Sequence, residues 1–311
     1  MGNEEFSAKF RGVRGGYPMP GPTTVKYGGN TTCLEVRVGG HLIIIDAGTG
    51  VIGLGQEMLE AYTPDSANDT ALKATLLLTH LHYDHIQGLP FFTPLLHPKG
   101  DFAFFGPQPT EGVTMEECIE HTFLPPFYSV MAEELLSKRQ YTHVRNGDMI
   151  LLTYPQLDPV CLSVRDDQAK QYLPEDDVVI QVHRGYHHPR NGILIFRINY
   201  HGKSLVFATD TEGYTGGDRK LINFARDADL LIHDAEYDTQ DYANLQIIKQ
   251  GWGHSTWEMA VEVARAAEVK QLALIHHNPM HSDAYLDAME KKAQAAFPAA
   301  FMAQEGQTVT L

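Results

Sequence analysis

The sequence predicts an α/β (α+β) protein in which two mixed β-sheets pack face to face and helices cover the outside. Apolar or alternating runs typical of strands are grouped within each half of the chain, and segments with helical periodicity follow each group. A strict alternation of strand and helix, which would indicate a doubly wound parallel sheet, is missing. With 43% hydrophobic residues, the chain can bury the large core that this layered arrangement needs.

The individual elements follow from the same patterns. The predicted strands are Cys33–Val38, His41–Asp46, Ala74–Thr79, Val178–His183, Gly192–Tyr200, Ser204–Thr209, Leu230–His233 and Gln271–His276. The predicted helices are Gly50–Ala61, Thr114–His121, Thr215–Phe224, Ser255–Ala267 and Asp283–Ala296. Gly39-Gly40 is a two-residue hairpin signal between the first two strands. Ser255 and Glu258 resemble a capping box, and Ser282 or Asp283 would cap the last helix.

All 311 residues are expected to form a single domain, residues 1–311, with a loop-rich insertion at about 91–148. Prolines border and fill this insertion, which is the least regular segment of the chain. A segment this irregular is more typical of a loop region beside a functional site than of a second domain.

The charge balance bears on the partners of the protein. There are 24 Lys and Arg residues against 39 Asp and Glu residues, so the formal net charge is −15. Proteins that grip duplex or transfer RNA usually present a basic face, so no extended nucleic-acid partner is expected. A small phosphate ester held by metal ions is compatible with this charge, because the metals supply the local positive charge.

The chain is expected to be cytoplasmic. Its first residues, MGNEEFSAKFRG, contain acidic side chains and no apolar core, unlike a secretory signal. No run approaches the roughly 18 uninterrupted apolar residues of a membrane span. The 3 cysteines are widely spaced and do not indicate a disulfide framework.

The stretch THLHYDH, residues 79–85, places ligand-type side chains directly after an apolar run. His80 and His82 are two positions apart, so an extended backbone would put them on the same side. Asp84 and His85 follow in a turn or at the start of a helix. Three imidazoles and a carboxylate so close together suit two adjacent divalent metal ions, with zinc favoured by imidazole ligands.

This motif resembles the metal-binding motif of the metallo-β-lactamase superfamily, whose fold is an αββα sandwich. Further stretches follow in the family's order: DAGTG at 46–50, His188-Pro189, TDTE at 209–212 and LIHHNP at 274–279. The resemblance runs from about residue 8 to the C-terminus. It therefore implies the metallo-β-lactamase fold for nearly the whole chain.

The resemblance also implies a ligand set. One metal would be held by His80, His82 and His188, the second by Asp84, His85 and His276, and Asp210 would bridge both. His188 is preferred to His187 because it precedes the proline, and His276 to His277 because it directly ends its strand. Zinc is expected, with manganese or iron as alternatives. Asp46 either bonds the free ring N–H of a ligand histidine or is a simple turn aspartate.

The branch of the superfamily is indicated by WGHST, residues 252–256. It resembles the His-Ser/Ala-Thr motif of the phosphodiesterase branch, best known from transfer-RNA 3′-processing endonucleases. There a carboxylate holds the histidine that assists the leaving oxygen, which implies that Asp234 partners His254, while Asp84 orients the attacking water. The long Gly-Pro- and Lys-rich RNA-binding arm of those endonucleases is missing. The expected substrate is therefore a small phosphodiester, such as a cyclic nucleotide.

Several alternatives stay open. The same metal site could serve a lactonase or another ester or thioester hydrolase, in which His254 would have no role. A non-hydrolytic ligand-binding or redox protein fits less well, because di-iron relatives have a carboxylate where this chain has His82. Arg14, Arg184 and Arg190 are candidates for phosphate contact. Because dimers are common in the family, the resemblance also allows a homodimer.

Overall fold

The computed structural model describes residues 5–64, 72–109, 112–126, 128–153, 158–163, 177–185, 192–214 and 216–311. In this part of the chain, two mixed β-sheets face each other and helices cover both outer faces. The predicted fold class, two mixed β-sheets packed face to face with helices outside, is confirmed.

The first sheet contains the N-terminal strands and the strand nearest the C-terminus. Its strands are β1 (Phe6–Gly12), β2 (Cys33–Val38), β3 (His41–Ile45), β4 (Lys73–Leu77), β5 (Asp101–Gly106), β6 (Lys138–His143) and β15 (Thr308–Thr310). They lie in the order β15-β1-β2-β3-β4-β5-β6. Neighbours are antiparallel from β15 to β3 and parallel from β3 to β6. The predicted β2–β3 hairpin is present, and Gly39 and Gly40 both have the positive φ that its tight turn requires.

The second sheet carries most of the strand ends that matter for function. Its strands are β7 (Asp148–Leu152), β8 (Val160–Ser163), β9 (Val178–Gly185), β10 (Ile193–Tyr200), β11 (Lys203–Ala208), β12 (Leu230–Asp234), β13 (Gln271–Ile275) and β14 (Ala300–Met302). They lie in the order β14-β13-β12-β11-β10-β9-β7-β8. Because β11, β12 and β13 are parallel neighbours, their carboxyl ends meet at one edge of the sheet.

Helices close the outer faces of the two sheets. They are α1 (Val51–Ala61), α2 (Tyr83–Ile86), α3 (Met115–Glu120), α4 (Arg219–Phe224), α5 (Thr239–Tyr242), α6 (Trp257–Ala266) and α7 (Asp283–Ala296). One apolar core lies between the sheets, a second packs the first sheet against α1 and α3, and a third packs the second sheet against α4, α6 and α7. Within the described ranges, no helix combines the length and the apolar character needed to cross a bilayer.

Two strands in the segment 91–148 were not expected from the sequence. β5 and β6 extend the first sheet in parallel with β4. The sequence of β5 is a short apolar run without a flanking period, and β6 is a polar, partly exposed edge strand. An edge strand of this kind has no buried face to impose an apolar alternation, so its sequence carries little signal.

Two predicted helix starts are also shifted. α4 begins at Arg219 because the Asp218 carboxylate accepts the N–H groups of Lys220 and Leu221, which caps the helix there. α6 is capped by Thr256 and not by Ser255. The Ser255 hydroxyl donates instead to the Thr211 carbonyl oxygen.

Candidate metal centre and active site

The histidine-rich motif lies between the end of β4 and the first turn of α2. The helix begins at Tyr83, so Asp84 and His85 lie in its only turn. The His80 ring centroid is 4.4 Å from that of His82 and 4.2 Å from that of His85. His80, Asp84 and His85 are buried, so the motif forms a compact and largely enclosed cluster of ligand-type atoms.

Three groups of ligand-type side chains converge in the described part of the chain, and two of them correspond to the predicted ligand sets. The first group is His80, His82 and Asp210, the second is Asp84, His85 and His276, and within each group the ligand atoms lie within 4.8 Å of one another. Asp210 stands between the groups. Its Oδ2 lies 3.5 Å from His80 Nε2, and its Oδ1 lies 3.2 Å from Nε2 of both His85 and His276. A carboxylate in this position can bridge two metal ions.

The donor set fits divalent cations. Nε2 of His85 is buried and forms no hydrogen bond with the described residues, although Asp84 Oδ2 lies only 3.4 Å away. Burial raises the pKa of Asp84, but His85 and His276 outweigh this and hold it well below its ordinary value. A cation between these atoms would satisfy both the ring nitrogens and the anionic oxygens. Imidazole with carboxylate is a donor set typical of zinc, and manganese and iron also accept it.

The two histidine doublets differ in what the structure describes. His187 and His188 lie in residues 186–191, outside the described residues, so His188 stays a prediction. In the other doublet, His276 joins the second ligand group. His277 instead places its Nε2 2.8 Å from the Ala303 carbonyl oxygen, and burial lowers the pKa of His277 to about 3. We therefore retain His276 as the proposed ligand.

Three residues of the site lie just after strand ends and have a left-handed backbone conformation. Asp46, Asp210 and His276 have φ angles of 59°, 49° and 64°. They follow β3, β11 and β13, two of them directly and Asp210 after one intervening residue. Positive φ is uncommon outside glycine, and its recurrence at these strand ends ties the backbone conformation to the site.

Asp46 makes the contacts of a residue that supports a ligand. Its Oδ2 lies 2.8 Å from His85 Nδ1, and it accepts hydrogen bonds from the Thr79 N–H and hydroxyl groups, each at 2.8 Å. A carboxylate on Nδ1 holds the proton there and leaves Nε2 of His85 available for a metal. The geometry thus favours the supporting role over a simple turn aspartate.

An N-terminal loop covers the second ligand group. The Gly16 N–H donates to Asp84 Oδ2 at 2.7 Å. Gly15 packs against the His276 ring so closely that a Cβ atom at this position would lie 2.2 Å from a ring carbon. The loop therefore positions Asp84 and His276 and requires glycine where it crosses the imidazole.

His254 lies beside the second ligand group and is held by Asp234. Its Nδ1 lies 2.9 Å from Asp234 Oδ2, and its ring stacks on that of His276 with centroids 4.8 Å apart and an interplanar angle of 14°. Asp234 is fully buried at the end of β12 and also accepts the backbone N–H groups of Asp210 and Ser255. Burial lowers the pKa of His254, but Asp234 and a neighbouring glutamate outweigh this and raise it to about 9. A protonated His254 can donate from Nε2.

That neighbouring glutamate, Glu236, was missed by sequence reasoning. Its Oε2 lies 3.2 Å from His276 Nδ1 and 3.4 Å from His254 Nδ1. It therefore supports both histidines at once. Its one sequence signal is that it follows Asp234 by two residues, so both carboxylates can face the same side of an extended segment.

Arg14 is buried and bonded to backbone carbonyl oxygens, which argues against its candidacy as a phosphate ligand. Its guanidinium is fully buried and donates to the carbonyl oxygens of Gly28, Asn278 and His281. The arginine thus joins the N-terminal loop to the segment after β13. Of the other two candidates, Arg184 is exposed near the end of β9, and Arg190 lies outside the described residues.

Comparison with known proteins places the chain in a family. A family model described as the Beta-lactamase superfamily domain matches residues 41–277. Ribonuclease Z of Picrophilus torridus is 23% identical over 334 residues, which covers 96% of this chain and 94% of that protein. The metallo-beta-lactamase fold protein YhfI from Bacillus subtilis matches with a TM-score of 0.64 and 16% identity, over 99% of this chain and 100% of that one. Human tRNase Z, short form, matches with a TM-score of 0.59 and 19% identity, over 97% and 98%.

These comparisons correct one expectation, and the family model establishes the family. The acidic composition predicted no extended nucleic-acid partner, but similar proteins from several organisms carry the names ribonuclease Z and tRNase Z, so that prediction is wrong. The net charge gave a wrong prediction because the electrostatic field at a metal site is set by the ions and the groups around them and not by the charge of the chain as a whole. With a family match that extends over residues 41–277, the chain belongs to the beta-lactamase superfamily, in its ribonuclease Z-like branch, and is a metal-dependent hydrolase.

Proposed function

We propose that this hydrolase is a phosphodiesterase that uses two divalent metal ions. Zinc is the proposed metal. One ion would be held by His80, His82, His188 and Asp210, and the other by Asp84, His85, His276 and Asp210. Two ions in such a site polarise a phosphoryl oxygen and lower the pKa of a water molecule, which is the chemistry that phosphodiester hydrolysis needs.

The chain's own residues would hold and move the protons. Asp84, whose Oδ2 is steadied by the Gly16 N–H at 2.7 Å, orients the attacking water. His254 donates a proton from Nε2 to the leaving oxygen while the phosphorus–oxygen bond breaks, because its Nδ1 is occupied by Asp234 at 2.9 Å. Asp234 keeps the imidazole in place and stabilises its protonated form.

The observation that carries this proposal is the stacking of His254 on His276 at 4.8 Å. It puts a proton donor directly beside the ligand groups. An alcohol leaving group departs from phosphorus as a strong base and benefits from such a donor. The names of the curated relatives, ribonuclease Z, support the same chemistry.

Two classes of phosphodiester are candidate substrates. Small phosphodiesters such as cyclic nucleotides need only the metal centre and the proton donor described above. RNA is the second candidate, and it is favoured by the relatives that carry the name ribonuclease Z. Both classes therefore belong in the same assay.

The test is a substrate panel with the metal-reconstituted protein. It comprises bis-p-nitrophenyl phosphate, a cyclic nucleotide, a precursor transfer RNA, a lactone and nitrocefin, each with zinc or manganese. We expect phosphodiester hydrolysis, and His254→Ala should lower kcat about 10²–10⁴-fold on substrates with an alcohol leaving group. His121→Ala, at an exposed histidine, is the matched control. Elemental analysis should return about two metal ions per chain.

Other outcomes would favour the rival functions. Hydrolysis of the lactone alone, with no effect of His254→Ala, would indicate an ester hydrolase. Binding of a ligand without turnover of any substrate, in protein that holds its metals, would indicate a non-hydrolytic role. A gently purified chain that contains no metal would contradict the metal centre itself.

A further inference from the structure

The segment that carries His254 is anchored by one carboxylate on a different strand end. Glu212 Oε1 accepts the Gly251 N–H at 2.7 Å and the Tyr242 hydroxyl at 2.5 Å, and Glu212 Oε2 accepts the Gly253 N–H at 3.0 Å. Both oxygens are thus used, and two of the three donors belong to the turn immediately before His254.

The residue that follows His254 is bound to the same segment as the turn that precedes it. The Ser255 hydroxyl donates to the Thr211 carbonyl oxygen. Thr211 and Glu212 directly follow Asp210, the carboxylate that stands between the two ligand groups. Residues on both flanks of His254 are therefore bound to the strand end that presents Asp210.

Apolar packing contributes little to holding this segment. Leu245, Ile247 and Ile248 are 93%, 58% and 60% exposed, and Trp252 is 45% exposed. Gly251 and Gly253 both have positive φ, at 85° and 92°, a conformation in which glycine loses much freedom on ordering. The Glu212 carboxylate holds the turn before His254 at two backbone N–H groups, those of Gly251 and Gly253.

We propose that Glu212 is a positioning residue that holds His254 at the leaving oxygen. It thereby favours hydrolysis of phosphodiesters with poor leaving groups, which need the proton from His254. The inference rests on the proposed phosphodiesterase function. In its described hydrogen bonds, Glu212 meets the Gly251–Gly253 turn and the Tyr242 hydroxyl and no member of the ligand groups, so it would act through the turn. A proton donor displaced by about 1 Å can lose about 10²-fold in rate, so a modest loosening of this turn has a measurable effect.

The first experiment uses Glu212→Gln, which keeps the size of the side chain but replaces one accepting oxygen with an NH₂ group. Leaving-group chemistry separates positioning from general damage. A p-nitrophenolate leaves readily without a proton, so kcat on bis-p-nitrophenyl phosphate should fall less than about 3-fold. On a phosphodiester with an alcohol leaving group, kcat should fall about 10–100-fold with KM nearly unchanged. Tyr242→Phe removes one donor and should give the same pattern more weakly.

A double-mutant comparison tests whether the effect passes through His254. In a His254→Ala background, Glu212→Gln should cause little further loss on the alcohol-leaving substrate, because the group it positions is gone. Glu262→Gln, on the exposed face of α6, is the matched control and should leave both substrates unaffected. Equal losses of Glu212→Gln on both substrates, or additive losses with His254→Ala, would overturn the proposal.

A readout independent of turnover keeps the two proposals apart. In the metal-free protein, the amides of Gly251 and Gly253 should exchange with solvent at least about 10-fold faster in Glu212→Gln than in the wild type, while Glu262→Gln leaves them unchanged. If the wild type hydrolyses no phosphodiester, the proposed function fails. If amide exchange at the two glycines is unaffected, the role of Glu212 fails, whatever the substrate.

Discussion

Replacing Asp46 by asparagine should weaken one of two metal-binding steps and leave the fold in place. The substitution suits the backbone, because asparagine tolerates the left-handed conformation that Asp46 adopts at φ 59°. Asparagine keeps an oxygen for the Thr79 N–H, which now donates to Asp46 Oδ1 at 2.8 Å. Its NH₂ group then faces His85 Nδ1, where Asp46 Oδ2 now lies 2.8 Å away.

The expected loss of metal affinity follows from the tautomer of the His85 ring. When an NH₂ group donates to Nδ1, the proton of His85 moves to Nε2, the nitrogen that faces Asp84 and Asp210. A metal must then displace that proton. Loss of such a supporting carboxylate lowers metal affinity about 10–100-fold, which corresponds to about 1.4–2.8 kcal/mol. The loss should fall on the ion held by His85 and not on the one held by His80 and His82.

The assay is a competition titration of metal-free protein against a chromophoric zinc chelator, together with urea unfolding. Asp229→Asn is the control, because Asp229 is also buried and accepts the Ser204 N–H at 2.9 Å while pairing with Lys270. The control should lose stability without a change in metal affinity. If Asp46→Asn behaves like the control, Asp46 is only a turn residue and the reasoning is refuted.

Three further outcomes are expected. Gly15→Ala should lower the affinity for one metal ion and the activity at least about 10-fold, because its Cβ would lie 2.2 Å from the His276 ring. The control is Gly53→Ala, whose Cβ would meet no atom within 4 Å beyond its chain neighbours and the backbone of its own helix. Equal metal contents of the two variants would contradict this expectation. Arg14→Met leaves three carbonyl oxygens without their charged donor and should lower the free energy of unfolding by about 2–4 kcal/mol in urea titrations. Burial lowers the pKa of His41 to about 4, and an unfolded histidine titrates near 6.5, so the unfolded chain takes up the proton first. The stability present at pH 7 should therefore decline between about pH 6.5 and 4, and His41→Phe should flatten that decline.

The sequence predicted those site residues that lie close together along the chain. His80, His82, Asp84 and His85 lie within one short stretch, so their convergence needs only the turn from β4 into α2. The positions that complete the groups follow from parallel strands, whose carboxyl ends meet at one edge.

The residues that sequence reasoning missed act across long separations. Glu212 meets the glycine N–H groups about 40 residues along the chain, and nothing in its neighbourhood marks that contact. Arg14 shows the opposite error. It was named as a candidate for phosphate contact, but its burial among backbone carbonyls depends on the packing of two distant segments, at Gly28 and at 278–281.

The fold shows the same division. The hairpin of β2 and β3 and the helix α7 were predicted with nearly their observed bounds, because glycine pairs, capping serine and apolar periodicity are local signals. The strand β6 was missed, since a half-exposed edge strand owes its conformation to its neighbour β5 and not to its own pattern.

The left-handed residues at the strand ends have a consequence for engineering. Each such position costs roughly 1–3 kcal/mol in a non-glycine residue, so Asp46, Asp210 and His276 are places where the fold is locally less stable than it could be. A search for thermostable variants would favour glycine there, most strongly at His276. Selection for stability alone would thus first remove two proposed ligands, Asp210 and His276, and Asp46, which supports His85, while the rest of the sandwich became more robust. A useful stabilisation of this protein has to exclude these three positions, or it will yield a durable scaffold that no longer binds its metals.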